Sequence, residues 1–506
     1  MPSGPHCVRI YDLVGMDTQA GSTITPQDPR YPTMVRCFNE RFVGTPALVQ
    51  VVATADEAVL AVQQCLDTGR RPVVRSGGHC YEGWSSLTDG VIIDISQMNH
   101  FDRRSDREGF MVEAGCTNWD LTNGLYRRFG VAIPGGSCYS VGAGGHFCGG
   151  GYGLLSRTYG LTVDWLDAVE VVVVRDGTAE LVTVDKDSPS TDERDLFWAH
   201  TGGGGGNFGL ITKYYFRPLP PAPGYAWWST IAWNWSDLLG EKEQFDRLVS
   251  NFARFFAEHS EPGGRYDKLF ALLHLTRKAN GQISVAVQQA DADDAPLEEF
   301  IAAMTVGIDS SKVPTVAPLA GIVGHRLIRP TTQTETMPWL EITQSENSSG
   351  PNRRGKYKSA YMKDVFPQSQ LDTMWTWLTT DDHPDFSSAL IQVDSYGCEI
   401  NTVAPDATAI PQRSSIMKLQ YQTYWTGEDD YDDNLAWIRG LYTDMYGEAG
   451  PRPDHLMDGC YVNYPDTDLR DWPELYYGVN YARLQRAKTT WDPTNVFNHA
   501  QSIRPL

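Results

Sequence analysis

The sequence predicts an α+β fold built from two main units, and three observations lead there. Strand-like and helix-like segments alternate from Gly44 to Pro218. Pro218, Pro220, Pro221 and Pro223 then interrupt the chain. Beyond them, long strand-like runs accompany an amphipathic helix, the pattern of an antiparallel sheet covered by helices. A tail from about Met457, rich in Tyr, Asn and Pro, differs from both. It is too irregular to fold alone and is expected to pack back on the first unit. The boundaries read this way are 1–217, with a core from about 43, then 218–456 and 457–506.

Each element has a local reason. Leu48 to Val52 has the apolar, β-branched character of a strand. Thr54 with Glu57 three residues on is a capping box that opens a helix. Val59, Leu60, Val62 and Leu66 give that helix its apolar side, and Gly69 ends it. Val73 and Val74 begin a strand that delivers Arg75-Ser76-Gly77-Gly78-His79-Cys80. Val91 to Asp94 reads as a short buried strand, and Thr117 with Asp120 opens a second helix. Val131 to Ile133 leads into Pro134-Gly135-Gly136-Ser137-Cys138. Leu166 to Val174 is a long β-branched run suited to a central strand. Five glycines, Gly202 to Gly206, precede Asn207-Phe208-Gly209 and a strand from Leu210 to Phe216. In the second unit, Phe245, Leu248, Val249, Phe252, Phe255 and Phe256 fall at helical spacing. Leu269 to Leu275 and Ile283 to Gln288 read as strands around an Asn280-Gly281 turn. Ser415 to Trp425 alternates as a strand should.

Composition narrows the function. The 506 residues are 41% hydrophobic and 21% charged, enough for two or three cores. A net charge of -21 argues against nucleic acid, whose phosphates need clustered Lys and Arg. It argues equally against an anionic membrane surface, and no apolar stretch is long enough to span a bilayer. Met1 to Ala20 lacks the uninterrupted apolar core of a secretory leader. Nine cysteines without a scaffold rhythm point to a reducing compartment. The expectation is a cytoplasmic protein, with a secreted mature form left open.

Two glycine-rich loops stand out, each presenting one nucleophile, His79 and Cys138. Glycine lets backbone amides approach a flat or phosphorylated ligand, and successive inward amides cradle anions. One glycine pair such as Gly77-Gly78 is explained equally well by a tight turn. Gly142 to Gly153 is different, because seven of its twelve residues are glycine, more than a turn needs. The pattern departs from the strict dinucleotide fingerprint, which disfavours a Rossmann unit. A metal site from His79, Cys138, His146 and Cys148 is disfavoured by spacing, since only His146-Phe147-Cys148 is close in sequence.

These blocks resemble the berberine bridge enzyme-like flavoprotein oxidases of the vanillyl-alcohol oxidase superfamily. The resemblance is carried by Arg75-Ser76-Gly77-Gly78-His79, Pro134-Gly135-Gly136-Ser137-Cys138, Gly144-Gly145-His146 and Gly149-Gly150-Gly151-Tyr152-Gly153. It continues in Asp195-Leu196-Phe197-Trp198-Ala199, the block Gly202 to Gly209, Asn463-Tyr464-Pro465-Asp466, Tyr476 to Tyr481 and Asp492 to Phe497. The branch it looks like includes aclacinomycin oxidoreductase and glycopeptide hexose oxidases. The implied fold is a two-lobed FAD-binding domain with a PCMH-type core, followed by a substrate domain. The implied cofactor is FAD bonded twice, with His79 on the 8α-methyl carbon and Cys138 on C6. Ser76 to Gly78 and Gly142, Gly144 and Gly145 would hold the pyrophosphate and dimethylbenzene side. Tyr477, Asn480 and Asn495 would close over the flavin from the tail. Arg75, Gly135, Gly136, Val141, His146, Gly149, Gly151, Tyr152, Gly153, Asp164 and Ile211 complete the expected cofactor set, and no metal is expected.

The resemblance also implies the chemistry. A substrate alcohol would become a carbonyl, with O2 reduced to hydrogen peroxide. The base would be Tyr464, aided by Tyr396 of Ser395-Tyr396-Gly397. A free phenol ionises near pH 10, so Tyr464 needs a hydrogen bond from Tyr396 or a nearby cation. The substrate class is a hydroxyl on a polyketide or its sugar. A hexose or oligosaccharide oxidase and a non-catalytic flavin-binding module are the alternatives. Monomer and homodimer both stay open.

Overall fold

The computed structural model describes residues 21–238, 242–309, 312–314, 335–346, 352–380, 388–427 and 430–506. The leader reading of Met1 to Ala20 lies outside them. Three sheets organise these residues. The first contains β1 (Ser22–Ile24), β2 (Leu48–Val51), β3 (Pro72–Arg75) and β4 (Val91–Asp94) in the order β1-β2-β4-β3. Its β2, β3 and β4 are parallel. The second contains β5 (Phe101–Arg103), β6 (Phe110–Glu113), β7 (Leu166–Arg175), β8 (Thr178–Asp185) and β9 (Leu210–Phe216), in the order β5-β6-β9-β7-β8.

The sequence reading treated this region as one alternating unit, whereas the structure divides it. Asp176 and Gly177, at φ +50 and +77, turn β7 directly back into an antiparallel β8. A two-residue turn of that kind cannot make the crossover a parallel pair requires. The predicted helix starts are present. α1 (Ala55–Asp67) is capped by the Thr54 hydroxyl accepting from the Glu57 amide. α2 (Asn118–Phe129) carries the reciprocal Thr117–Asp120 box and ends at left-handed Gly130. Val131 to Ile133 forms no strand, only an isolated bridge from Val131 to Pro221.

The third sheet is antiparallel and comprises β10 (Tyr225–Asn234), β11 (Leu269–Thr276), β12 (Gln282–Gln289), β13 (Lys312–Pro314), β14 (Glu335–Pro338), β15 (Arg354–Met362), β16 (Leu390–Ser395) and β17 (Met417–Trp425). Its central order is β10-β12-β11-β16-β17-β15. Alternation assigns the two faces. Tyr421 of β17 meets Tyr442 and Tyr446 of α5 (Tyr431–Tyr446) edge-on, after α3 (Lys242–Glu258) and α4 (Gln368–Thr379) have covered the same side. Phe245 of α3 packs on Trp375 of α4. The opposite face presents Gln420, Gln422 and Tyr424 to a cavity.

The tail binds both larger parts. Asn463 donates to the His146 carbonyl, and Tyr477 to that of Gly203. Lys488, in α6 (Tyr481–Trp491), donates to the carbonyls of Asn207 and Phe497. Asp466 is paired with Lys356 and Lys358 of the third sheet. Among the described residues no helix is long and apolar enough to cross a membrane.

Candidate active site

β3 ends at Arg75, whose guanidinium pairs with Asp94, its register partner on β4, at 2.9 Å. That pair anchors the base of the first glycine loop. Ser76 donates to the Ala114 carbonyl at 2.7 Å, and Phe38 stacks on His79 with centroids 4.3 Å apart. The second loop leaves Pro134 and is held by Asn118, whose side-chain amide donates to the Cys138 carbonyl at 3.1 Å. The two loops touch. A Cβ added to Gly77 would lie 2.4 Å from the Gly142 amide nitrogen, and one added to Gly142 would lie 2.0 Å from the Ser76 hydroxyl oxygen. Only glycine permits that approach at these points. His79 Nε2 lies 2.8 Å from the Ser140 hydroxyl, joining one nucleophile's ring to the other's loop.

A cavity of about 790 Å³ runs between these loops, the third sheet and the tail. Ser76, Gly77, Gly78, His79, Gly136, Cys138 and Val141 lie on its wall. So do Gly142, Gly144, Gly145, His146, Tyr152, Gly153, Ile211, Tyr464 and Tyr477. Gly145 shows what the wall accommodates, because a Cβ there would meet no atom within 4 Å. Bare backbone faces open space, as a cradle for a large planar, phosphorylated cofactor requires.

The remaining expected residues stand behind that wall. The Gly135 carbonyl backs Gly153, where a Cβ would lie 1.7 Å from it. A Cβ on Gly149 would lie 2.0 Å from Asn463 Oδ1, beside Tyr464. Gly151 has φ +71 against Thr162. Asp164 pairs with Arg413 at 2.6 Å. Asn480 donates to the Pro405 carbonyl at 2.7 Å, and Asn495 adopts φ +56. Tyr396 is fully buried, and its hydroxyl donates to the Gln412 carbonyl at 3.1 Å. Its ring meets Tyr152 and Tyr361, so the expected hydrogen bond to Tyr464 is replaced by other partners.

The partner of Tyr464 is one the sequence reading did not name. Lys418 Nζ donates to the Tyr464 hydroxyl at 3.0 Å and pairs with Asp394 at 2.6 Å. Its ammonium lies 4.4 Å from the Tyr464 ring centroid and 4.6 Å from that of Tyr152. The available signal was a lysine in the alternating run Lys418-Leu419-Gln420-Tyr421-Gln422, on the face of Gln420 rather than of Leu419. Gln392, Gln420 and Gln422 were missed for the same reason. They form an amide network on the cavity wall, oriented by Asp394, Tyr81 and Tyr424.

Burial sets the protonation states. It lowers His79 to about 4 and His146 to about 4, so both rings are neutral at pH 7. His146 Nε2 accordingly accepts from the Gly136 amide at 2.7 Å. Cys138 is exposed on the cavity wall, where loss of hydration raises its thiol and the Lys418 charge opposes that rise. Tyr464 is raised well above a free phenol, first by burial and then by the Asp394 carboxylate.

A glycine-walled cavity beside a neutral histidine and a lysine-paired phenol is a site for a large cofactor and for proton transfer at one place. Residues 46–183 match the FAD binding domain family, and residues 460–504 match the family described as berberine and berberine like. The chain is 40% identical to hexose oxidase of Chondrus crispus, over 96% of this chain and 95% of that protein. It is 38% identical to aclacinomycin-N/aclacinomycin-A oxidase of Streptomyces galilaeus, over 94% and 89%. GilR, an oxidoreductase of the terminal step of gilvocarcin biosynthesis solved with pregilvocarcin, superposes with a TM-score of 0.88 at 34% identity, covering 95% of this chain and 99% of that one. The chain belongs to the berberine bridge enzyme-like family of FAD-linked oxidases, on the vanillyl-alcohol oxidase type of fold. It is an oxidoreductase acting on CH–OH groups of small molecules, with oxygen as acceptor.

Proposed function

We propose that this oxidase bonds FAD through both His79 and Cys138 and uses Tyr464 to take the proton of a substrate hydroxyl. The observation that carries this reading is the convergence of His79, Cys138 and Tyr464 on one cavity. Bound in this cavity, FAD would supply the hydride acceptor for the substrate carbon and the route of the two electrons to O2, with hydrogen peroxide as product. The protein supplies everything else.

His79, neutral at pH 7, keeps a nitrogen lone pair for the bond to the 8α carbon. Cys138 must react as a thiolate, and the Lys418 ammonium favours that form. Ser76 to Gly78, Gly142 and Gly145 would offer their amides to the phosphates, while the Ala143 and Gly144 amides donate to the Cys116 and Ala114 carbonyls and hold the loop in shape. Tyr477 closes the cavity from the tail, with Asn480 and Asn495 shaping the segment that carries it. Tyr464 would take the proton in its phenolate form, a minor form at neutral pH, with the Lys418 ammonium 3.0 Å away as the counter-charge. Tyr396 supports the packing of Tyr152 and does not share the proton. The working division of labour is 1–217 for the cofactor, 218–456 for the substrate and 457–506 for closure.

The amide network of Gln392, Gln420 and Gln422 offers donors and acceptors beside Tyr464, which suits a hydroxyl carried on a sugar. The sugar of a polyketide glycoside is the leading substrate, and a free hexose or oligosaccharide is the second, supported by the likeness to hexose oxidase. The test is anaerobic mixing of the yellow protein with a panel of glycosylated polyketides and free sugars. A substrate bleaches the flavin absorbance, and air restores it with one peroxide per turnover. If no glycoside or sugar bleaches a fully flavinylated protein while another alcohol does, the sugar reading fails.

A further inference from the structure

We propose that Lys356 is a positioning residue whose buried ammonium ties the loop carrying His79 to the turn carrying Tyr464, fixing the base relative to the cofactor. The inference rests on the roles given to His79 and Tyr464 above. Lys356 lies on β15, and its side chain is 0% exposed. Its Nζ reaches Glu82 Oε1 at 2.5 Å, Asp466 Oδ1 at 2.6 Å and Asp468 Oδ2 at 3.4 Å. Glu82 follows His79 by three residues, and Asp466 follows Tyr464 by two. One cation therefore spans segments that come from opposite ends of the chain.

The rest of the cluster tightens the same joint. Lys358, two residues along β15 on the same face, holds the other oxygen of Asp466 at 2.7 Å and Asp468 at 3.0 Å. Both oxygens of Asp466 are thus fixed by separate lysines. Thr467, between the two aspartates, donates to Glu82 Oε2 at 3.2 Å and closes the ring directly from turn to loop. Arg41 lies 3.8 Å from Glu82, and Arg439 holds Asp468 from the solvent side at 2.8 Å.

Physical cost makes the arrangement informative. Buried ion pairs lose hydration, and apolar replacements of similar volume are often as stable or more so. Apolar packing, however, does not fix two loops in one mutual geometry as charge-assisted hydrogen bonds do. A shift of about 1 Å at a reacting group can cost about 100-fold in rate, so a rigid joint between cofactor loop and base turn has a direct kinetic return.

The experiment compares the parent with Lys356→Met/Glu82→Gln, which removes one charge of each sign and leaves Lys358, Asp466 and Asp468 paired. The single Lys356→Met serves as the unbalanced control. Folding is read by thermal melting. FAD attachment through His79 is timed by intact mass after adding FAD to apoprotein in a Cys138→Ala background. Turnover is read by peroxide release with D-glucose as probe, or with the alcohol the anaerobic panel returns. The double variant is expected to melt within about 5 °C of the parent, with kcat down about 10- to 100-fold, KM within about threefold and His79 attachment about tenfold slower. Unchanged kcat and attachment rate, or losses that only follow the folded fraction, would overturn the proposal. Tyr464→Phe in the parent and His79→Ala in the Cys138→Ala background separate the cases. If they leave turnover and attachment intact, the underlying roles are wrong; if they act as expected while the double variant does not, only the joint is wrong.

Discussion

Lys418 and Asp394 stand directly opposite each other on neighbouring antiparallel strands, 2.6 Å apart, with side chains 0% and 3% exposed. The pair places a cation against the Tyr464 hydroxyl while supplying the counter-charge that lets it stay buried. Register alone brings the two together, and the pleat turns both toward the site.

Tyr464→Phe removes the phenol and keeps the ring. The yellow colour is expected to remain while peroxide release at saturating substrate falls about 100- to 10,000-fold, the range for loss of a general base. Since burial and Asp394 both raise Tyr464, its phenolate gains population only as pH rises. The parent's kcat/KM should therefore climb on the alkaline side, and the variant's should be flat there. A parent profile that declines from pH 7 upward would contradict the assignment.

Lys418→Met strands a buried carboxylate. A loss of about 3–5 kcal/mol in stability is expected from removing one partner of such a pair. Adding Asp394→Leu should recover much of the melting temperature and none of the turnover. Recovered turnover in the double variant would remove Lys418 from the reaction.

His79→Ala is expected to leave flavin attached through Cys138, and Cys138→Ala to leave it attached through His79. Replacing both should release it on acid denaturation, as read by intact mass. Flavin mass retained by the double variant would show that the linkages lie elsewhere.

Gly142→Ala tests the contact between the loops. Its Cβ would lie 2.0 Å from the Ser76 hydroxyl oxygen and 2.4 Å from the Gly77 amide nitrogen. The loops must separate, so covalent flavin should fall by more than half while the melting temperature of the apoprotein changes by only a few degrees. Gly145→Ala, where a Cβ meets no protein atom, should instead weaken FAD capture by intruding on the cavity.

Acid stability follows from the buried imidazoles. His146 and His200 are lowered from 6.5 to about 4, and His499 to about 3. The unfolded chain then binds more protons than the folded one between these values and 6.5, so stability rises with pH across that interval. The contribution is full above pH 6.5 and is lost as pH falls through 4. A melting temperature that drops from pH 7 to pH 4, and does so less in His200→Phe, is the expected result.

Much of the fold was legible because its signals are local. Thr54 and Thr117 cap their helices through side chains three residues away, and the phenylalanines of α3 fall at helical spacing whatever surrounds them. The glycine density from Gly142 to Gly153 was equally plain, as were the two loops carrying His79 and Cys138, which line one cavity. The strand reversal at Asp176-Gly177 was readable in principle, yet the β-branched run of β7 suits either sheet type. The direction of Tyr396 was not legible at all, since its hydroxyl is claimed by a carbonyl sixteen residues away.

By itself the sequence determined the elements, the two glycine loops and the residues with nucleophilic or phenolic chemistry, because backbone conformation and side-chain type are properties of short segments. Only the tertiary structure decided which of them meet. It placed Lys418 and Asp394 under Tyr464, turned Tyr396 away, and gathered Glu82, Lys356 and Asp466 into one buried cluster. Those contacts join residues up to 274 positions apart, and their energies come from burial and strand register, which exist only once the sheets have closed on one another.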